Sequence, residues 1–201
     1  MSTISFFDLL TELRIELSDE DKTEWSDLKL MSFVNRAMKR IHEIIIRNEL
    51  NFAIKSVVYT VESGVTEIAL PDDFMIQKGL YRRDTSKFVE FATDDTWERV
   101  SEKGDGLWRL AGENFVISSN IPVGTELAFY YFPMYQRETD TLEAVIYGDQ
   151  IWDAIIIYAS YLCKNVDEFD LSVDAQILGD VESQLLMMYN RNTPQRAHLE
   201  S

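Results

Sequence analysis

The side chains best suited to chemistry in this sequence are two histidines and one cysteine, and they lie far apart along the chain. His42 falls within a helical pattern, His198 lies close to the last residue, and Cys163 lies in a strongly apolar segment. None of the three has a sequence neighbour that would make a nucleophile–base pair or a zinc site with it. We expect His42 to lie on a helix surface and Cys163 to be a buried, unreactive thiol.

The spacing of Asp170, Ser172 and Asp174 is similar to the start of a calcium-binding loop. An EF-hand loop needs glycine at its sixth position and glutamate at its twelfth, where this chain has Ala175 and Val181. The pattern therefore does not predict a calcium site.

Adjacent acidic residues are a further candidate for chemistry. The pairs Asp72–Asp73 and Asp94–Asp95 could act as general acid and base, or hold a divalent ion. Adjacent side chains rarely point into one site, however, and aspartate is common in turns because its carboxylate hydrogen-bonds to nearby backbone. We predict no catalytic residue, no metal site and no cofactor, and therefore a protein that is not an enzyme.

Charge narrows the possible partners. The chain has 35 acidic and 19 basic side chains, for a net charge of −16, and Lys164 is the only basic residue between Glu138 and Leu186. Such a chain repels phosphates, so tight or sequence-specific binding of nucleic acid is not expected. Two interpretations stay open: an acidic wall past which DNA slides, or a surface that keeps free subunits soluble.

Aromatic residues offer one more possible nucleic-acid site. Trp97, Trp108, Tyr130 and Tyr131 could stack on bases, but a stacking platform also needs a positively charged groove. We expect these rings to form the core and rim of a β-rich module instead.

No membrane segment is expected. The most apolar run, residues 151–163, is thirteen residues long and contains Asp153. Crossing a bilayer takes about twenty apolar residues. The first residues also lack the basic and apolar regions of a signal peptide. The run predicts a buried helix.

Helical spacing of apolar residues occurs near both ends of the chain. It predicts helices over about 6–17, over a segment after Ser26 that contains residues 30–45, and over two segments that contain residues 151–162 and 177–188. Ser5 with Asp8 has the form of a capping box, and Ser26 is placed to cap the second helix.

The middle of the chain has β-rich composition. Residues 57–61 and 65–70 flank the turn Glu62–Ser63–Gly64 and predict a hairpin. Five further short segments with turn signals between them predict a small antiparallel sandwich or barrel. The segments are 78–83, 87–91, 107–110, 114–118 and 126–132.

The predicted fold class is α+β. We expect the two helix pairs to pack as a four-helix bundle, formed by residues 1–50 and 146–189, with residues 51–145 inserted as the antiparallel β module. Residues 190–201 lack periodicity and predict an extended C-terminal tail.

The order of several short motifs resembles the head-to-tail adaptor, or connector, proteins of tailed bacteriophages. The resemblance covers most of the chain. It rests on Trp25–Ser26–Asp27, Val34–Asn35–Arg36–Ala37, Leu70–Pro71–Asp72–Asp73–Phe74, and the segment from Gly124 to Pro133 that ends Phe129–Tyr130–Tyr131–Phe132–Pro133.

The resemblance implies a structural virion protein of the neck, assembled in the host cytoplasm. Subunits of that family form a ring, commonly of twelve copies, between the portal protein and the tail nozzle or tail tube protein, and DNA passes through the channel. The implied portal-docking tail contains Asn190, Arg191, Asn192, Thr193, Pro194, Gln195 and Arg196. The implied distal contact of the β module contains Asp72, Asp73, Phe74 and Trp97.

Two other functions stay open on sequence alone. One is an enzyme with a carboxylate site in the β module, and the other is a soluble assembly chaperone or scaffold. An enzyme predicts a concave site with several perturbed carboxylates, whereas an adaptor predicts lateral contact surfaces and a projecting tail.

Overall fold

The computed structural model describes residues 5–93, 96–97, 106–139, 147, 151–165 and 171–192. The chain divides into a helical unit, residues 1–53 and 135–201, and a sheet unit, residues 54–134.

Local capping explains where the first two helices begin. Helix α1 spans Phe6–Leu17, and Ser5 and Asp8 form the predicted capping box, with Asp8 N to Ser5 Oγ at 3.2 Å and Ser5 N to Asp8 Oδ2 at 3.0 Å. Helix α2 spans Asp27–Arg47, and Ser26 caps it by accepting from the Lys29 backbone N–H. A short 3-10 helix, Asn51–Ala53, follows α2.

Two helices complete the helical unit. Helix α3 spans Trp152–Lys164 and is buried on almost all sides, and helix α4 spans Leu171–Asn192. Helix α3 packs on both α1 and α2.

The predicted four-helix bundle is wrong. Two helix pairs packed as a bundle are not evident. A bundle needs a continuous apolar stripe on every helix. Of the apolar residues at helical spacing in α4, Val181 and Leu185 are buried, whereas Ile177 and Met188 are only half-buried. The predicted extended tail from residue 190 is also corrected, because α4 continues to Asn192.

The described residues of the sheet unit form seven strands in one sheet. Their bounds are β1 Lys55–Thr60, β2 Glu67–Ala69, β3 Phe74–Arg82, β4 Lys87–Phe91, β5 Leu107–Ala111, β6 Asn114–Ile117 and β7 Glu126–Pro133. The strand order is β1-β7-β3-β4-β5-β6-β2. The pairing is antiparallel except between β4 and β5, which are parallel. Residues 92–106 connect that pair, and a crossover of a dozen or more residues is what parallel neighbours need.

The predicted hairpin and the predicted sandwich or barrel are also corrected. Strands β1 and β2 are consecutive in sequence but lie at opposite edges of the sheet, where β1 pairs with β7 and β2 with β6. The sheet is curled into a half-barrel. The Tyr59 hydroxyl of β1 donates to the Ala69 carbonyl of β2 across 3.2 Å, so a side chain links the two edge strands.

Aromatic side chains form the core of the sheet unit. Trp108, Phe115 and Phe129 are almost fully buried, and Phe115 and Phe129 stack with ring centroids 5.1 Å apart. The Trp108 indole N–H donates to the Val89 carbonyl at 3.2 Å, so its polar atom is satisfied. Tyr131 is also buried, which confirms that Trp108 and Tyr131 belong to the core.

Candidate docking surfaces

Of the three reactive side chains singled out in the sequence, Cys163 and His42 are buried, and His198 lies outside the described residues. Cys163 is 2% exposed, which confirms its expected burial, and this burial raises the pKa of the thiol to about 12. The expectation for His42 was wrong: it is 2% exposed, and its Nδ1 lies 2.5 Å from the hydroxyl of Tyr147, which is equally buried. Tyr147 is 105 residues away in sequence, so no local pattern could show this contact.

The acidic pair Asp72–Asp73 does not converge on one site. Asp72 is exposed, whereas Asp73 is half-buried and accepts hydrogen bonds at 2.7 Å from both Lys55 Nζ and the Tyr131 hydroxyl. Burial alone would raise the pKa of Asp73, but the two hydrogen bonds outweigh it and hold that pKa below its usual range. Asp73 thus ties β1 to β7. Asp94 and Asp95 lie outside the described residues.

The other predicted distal-contact residues are also engaged within the sheet unit. Phe74 is half-buried and packs on Phe129, with ring centroids 5.8 Å apart. The Trp97 ring is half-buried and lies 5.0 Å from the Arg109 guanidinium carbon. Of the four predicted residues, Asp72 is the one whose side chain is largely exposed.

The predicted portal-docking segment begins inside a helix. Asn190 is exposed on α4, and the backbone of Arg191 and Asn192 completes that helix. Thr193, Pro194, Gln195 and Arg196 lie outside the described residues.

An apolar row crosses the face of the sheet opposite its aromatic core. Val58, Ala128, Tyr81 and Phe88 are successive cross-strand neighbours on β1, β7, β3 and β4. Phe88 is 66% exposed and packs edge-on against Tyr81, with ring centroids 5.3 Å apart. Val58 is also exposed, whereas Ala128 is buried. We call these four residues the outer row. Sequence reasoning missed it because each of its residues lies on a different strand, and the pairing register brings them together.

Glycine makes room for the most exposed ring of the outer row. A Cβ at Gly79 would lie 3.0 Å from the Phe88 ring, so Phe88 lies directly over the backbone of β3. Cross-strand aromatic contacts of this kind stabilise a sheet locally. A large exposed ring held in this way can also anchor a protein partner.

Helix α1 presents a second apolar surface. Phe7 and Ile15 are about half exposed, lie eight residues apart on one face, and line a groove with Thr11 between them. Glu20 and Lys22 also line this groove, so its apolar floor has a charged edge. Interfaces commonly combine an apolar centre with a polar rim.

Helix α2 carries a concentrated group of cations. Arg36, Lys39 and Arg40 line a cavity of about 260 Å³ whose wall also contains Tyr158 of α3 and Asp174 of α4. We call this the basic cavity. The Tyr158 hydroxyl donates to Asp174 at 2.7 Å.

The motifs behind the family resemblance have structural roles inside the chain. Within Trp25–Ser26–Asp27, the Trp25 carbonyl and the Asp27 carboxylate accept from the buried Arg14 guanidinium at 2.9 and 2.6 Å. Arg14 also pairs with Asp19 at 2.5 Å. Hydrogen bonds from Arg14 are the main reason that the pKa of Asp27 is lowered.

Asn35, in the second motif, fastens a distant segment to α2. Its Nδ2 donates to the Glu138 carbonyl at 3.0 Å, and its Oδ1 accepts from the Glu138 N–H at 2.9 Å and from the Tyr135 hydroxyl at 2.6 Å. Asn35 and Glu138 are both buried. The residues after β7 are therefore bonded to α2 within the helical unit.

Within the described part of the chain, no group of three His, Cys, Asp or Glu side chains is placed to hold a metal ion. None of the described helices is long and apolar enough to cross a membrane. What the described residues do offer is a set of exposed apolar and charged surfaces suited to protein contacts.

Comparison with known proteins agrees with the motif order. A family model described as SU10 adaptor protein matches residues 4–196. No curated protein matches the chain. The family match spans nearly the whole sequence and confirms the resemblance to phage head-to-tail adaptors. The chain therefore belongs to the SU10 adaptor protein family, a family of structural phage proteins.

Proposed function

We propose that the protein forms a ring of twelve copies between the portal protein and the tail nozzle or tail tube protein, with the phage DNA passing through the ring. The observation that carries this proposal is the family match over residues 4–196. A virion component that contacts portal and tail proteins needs several exposed contact surfaces, and the helical and sheet units each provide them.

Charge supports passage of DNA without tight binding. The chain has a net charge of −16. A negatively charged channel wall repels phosphates, so DNA would slide past it without being held. No sequence-specific reading of bases is proposed.

The test of this function is the mass of the complex. Purified protein and its portal protein are mixed, and mass photometry and negative-stain microscopy record the size and symmetry of the product. A ring on the portal supports the proposal. A mixture in which the wild-type protein never joins the portal refutes it. The mixture is needed because a purified adaptor can stay monomeric alone.

We propose that residues 190–196 contact the portal. The C-terminal end of α4 presents Asn190 to solvent and leads directly into this segment. Deleting residues 193–201 leaves all of α4 in place, so loss of portal binding would reflect the lost segment. The matched control replaces residues 193–201 by a Gly-Ser sequence of equal length. Unchanged portal binding by the deletion variant would contradict this assignment.

We propose that the sheet unit contacts the tail component. The outer row and exposed Asp72 support this, because exposed aromatic rings are frequent anchors of protein interfaces. Phe88→Ser should weaken binding to the tail component at least about tenfold while portal binding is unchanged. Val123→Ser is the matched control, since Val123 is 64% exposed in the same unit and lies outside the outer row. Equal effects of both substitutions would exclude the outer row as the contact.

A further inference from the structure

Two cations of the basic cavity have no ion-pair partner among the described residues. Five of the nine described basic side chains of the helical unit form ion pairs, namely Arg14, Lys22, Arg40, Arg47 and Lys164. Of the other four, Lys29 lies over the Trp25 ring and Arg137 is exposed. Arg36 and Lys39 are exposed and form no ion pair with described residues. They lie three residues apart on α2, so both side chains project from one face. In a chain of net charge −16 this is a local site for a negatively charged partner.

The same unit also carries a rigid acidic surface. Residues 18–24, between α1 and α2, turn around the buried Asp19 carboxylate. This carboxylate accepts from the backbone N–H groups of Thr23 and Glu24, each at 2.9 Å, and from that of Trp25 at 3.3 Å. The bond from the Glu24 N–H is the largest cause of the lowered pKa of Asp19. The Arg14 guanidinium fixes the other side of Asp19.

This turn presents three carboxylates to solvent. Glu20, Asp21 and Glu24 are exposed and form no ion pair with described residues. We call them the acidic loop. Because Asp19 already holds the backbone in place, a partner that binds the acidic loop has little ordering entropy to overcome. The α1 groove with exposed Phe7 and Ile15 borders Glu20, so apolar surface adjoins the charges.

The acidic loop and the basic cavity of one chain lie apart, so they do not bind each other within that chain. Arg36 lies nine residues beyond Asp27, where α2 begins, which corresponds to about 14 Å along a helix rising 1.5 Å per residue. The acidic loop precedes Asp27 and is held there by Arg14.

We propose that the acidic loop of one copy binds the basic cavity of a second copy. Charge complementarity carries the argument, since the acidic loop displays three exposed carboxylates and the basic cavity two exposed cations, none of them in an ion pair with described residues. Two copies could make such a contact twice about a two-fold axis, whereas a head-to-tail arrangement repeats it from copy to copy and closes as a ring. The proposed ring uses the head-to-tail arrangement. The inference rests on the proposed ring and assigns the residues of its lateral contact.

DNA fits the basic cavity less well than a carboxylate loop does. The side chains of Glu43 and Asp174 also line the cavity, and Arg40 already pairs with Glu43 at 2.9 Å. A continuous polyanion would meet these carboxylates and the negative field of the rest of the chain. A loop with a few carboxylates can contact Arg36 and Lys39 while the rest of it stays away from the other acidic side chains.

Charge reversal tests the contact. The cavity variant is Arg36→Glu with Lys39→Glu, and the loop variant is Glu20→Lys with Glu24→Lys. Each alone places like charges across the interface, so ring formation on the portal should need about tenfold more protein or be lost. An equimolar mixture of the two variants should assemble again, because alternating copies then face opposite charges at every contact. Glu62→Lys with Glu113→Lys, in the sheet unit, is the control for the loop variant, since it makes the same change in net charge at exposed positions.

A cross-linking measurement reads the same contact without the portal. Equal amounts of unlabelled and 15N-labelled wild-type protein are mixed at high concentration and treated with a carbodiimide, which joins a carboxylate to a lysine amine. Peptides linking Lys39 to Glu20, Asp21 or Glu24 between differently labelled copies support the proposal. Absence of such links together with unaffected rings from both variants would overturn it.

The outcomes separate this inference from the proposed function. If wild-type rings form on the portal and the variants match them, the function stands and this lateral contact is wrong. If the wild type never binds the portal, the proposed function fails, and the cross-links alone decide the contact. If the cavity variant instead loses only portal binding, or only binding to a DNA duplex measured by anisotropy, the cavity binds that partner and the inference fails.

Discussion

Replacing Asn35 by leucine tests whether the bonds between α2 and residues 135–138 stabilise the protein. The side chain makes four hydrogen bonds, to the Met31 carbonyl, both backbone groups of Glu138 and the Tyr135 hydroxyl. All of this amide is lost in Asn35→Leu, while the number of side-chain heavy atoms and the branch point are kept. The two methyl groups are bulkier than the planar amide, so the measured loss contains a packing contribution beside the polar one.

The expected loss of stability in Asn35→Leu depends on which polar groups lose a hydrogen bond. The Tyr135 hydroxyl keeps a second acceptor, the Asn35 carbonyl at 3.1 Å, and the Met31 carbonyl keeps its place in the helix ladder. The N–H and carbonyl of buried Glu138 both lose the Asn35 amide. At about 1 to 3 kcal/mol for each of these two buried polar groups that loses a hydrogen bond, the free energy of unfolding should fall by about 2 to 6 kcal/mol.

Urea titration followed by circular dichroism at 222 nm measures this loss. Tyr135→Phe removes one hydroxyl from the same site and should cost about 1 kcal/mol. Gln176→Ala is the control, because Gln176 is an exposed amide on α4, and it should change the free energy of unfolding by less than about 0.5 kcal/mol. If Asn35→Leu unfolds like the Gln176 control, the hydrogen-bond geometry at Asn35 does not stabilise the fold and the reasoning is wrong.

Three other single-site tests follow from burial and geometry. Because the pKa of Asp73 is lowered in the folded protein, its ionised carboxylate stabilises the fold fully above about pH 4, and this stabilisation is lost as the pH falls through the folded pKa. The difference in free energy of unfolding between wild type and Asp73→Asn, measured by urea titration, should therefore shrink below about pH 4. Cys163 should react with a disulfide reagent at about pH 8 only after denaturant is added, and rapid reaction of the folded protein would contradict its burial. Gly106→Ala should lower the free energy of unfolding by about 2 kcal/mol, because φ is +97° there and the new Cβ would lie 2.6 Å from Ile121 Cγ1. Gly124→Ala should cost about 1 kcal/mol, because φ is +85° but the new Cβ would meet no atom within 4 Å. Equal losses would show that the close contact at Gly106 is relieved.

Local sequence patterns predicted the beginnings of the helices well. The capping residues Ser5 and Ser26 act within three positions of themselves, so the information needed lies in the adjacent sequence. The bundle prediction failed for a different reason. The apolar spacing in α4 is real, but how fully Ile177 and Met188 are covered depends on the path of the other helices.

The pairing of the strands was harder to predict from the sequence than their location. The turn Glu62–Ser63–Gly64 is typical of a hairpin, yet β1 pairs with β7, about seventy residues away in sequence. Long-range pairing of this kind depends on which faces can share one aromatic core. Contacts between residues far apart in sequence also explain the two other missed features. His42 is buried beside Tyr147, and the residues of the outer row become neighbours only through the register of strand pairing.

The residues that identify the family and the residues that face solvent are largely different. Asp27, Asn35 and Asp73 come from three of the quoted motifs, and each makes hydrogen bonds within its own unit. Phe88 of the outer row and the acidic loop lie outside every quoted motif, whereas exposed Arg36 and Asp72 lie within two of them. The hydrogen-bonded residues of the motifs thus serve the fold that an adaptor needs, while the contacts proposed above use exposed side chains both within and between the motifs. It follows that exchanging exposed surfaces while keeping Asp27, Asn35 and Asp73 should redirect binding without unfolding the chain, whereas substituting those three should destabilise the protein whatever its partner.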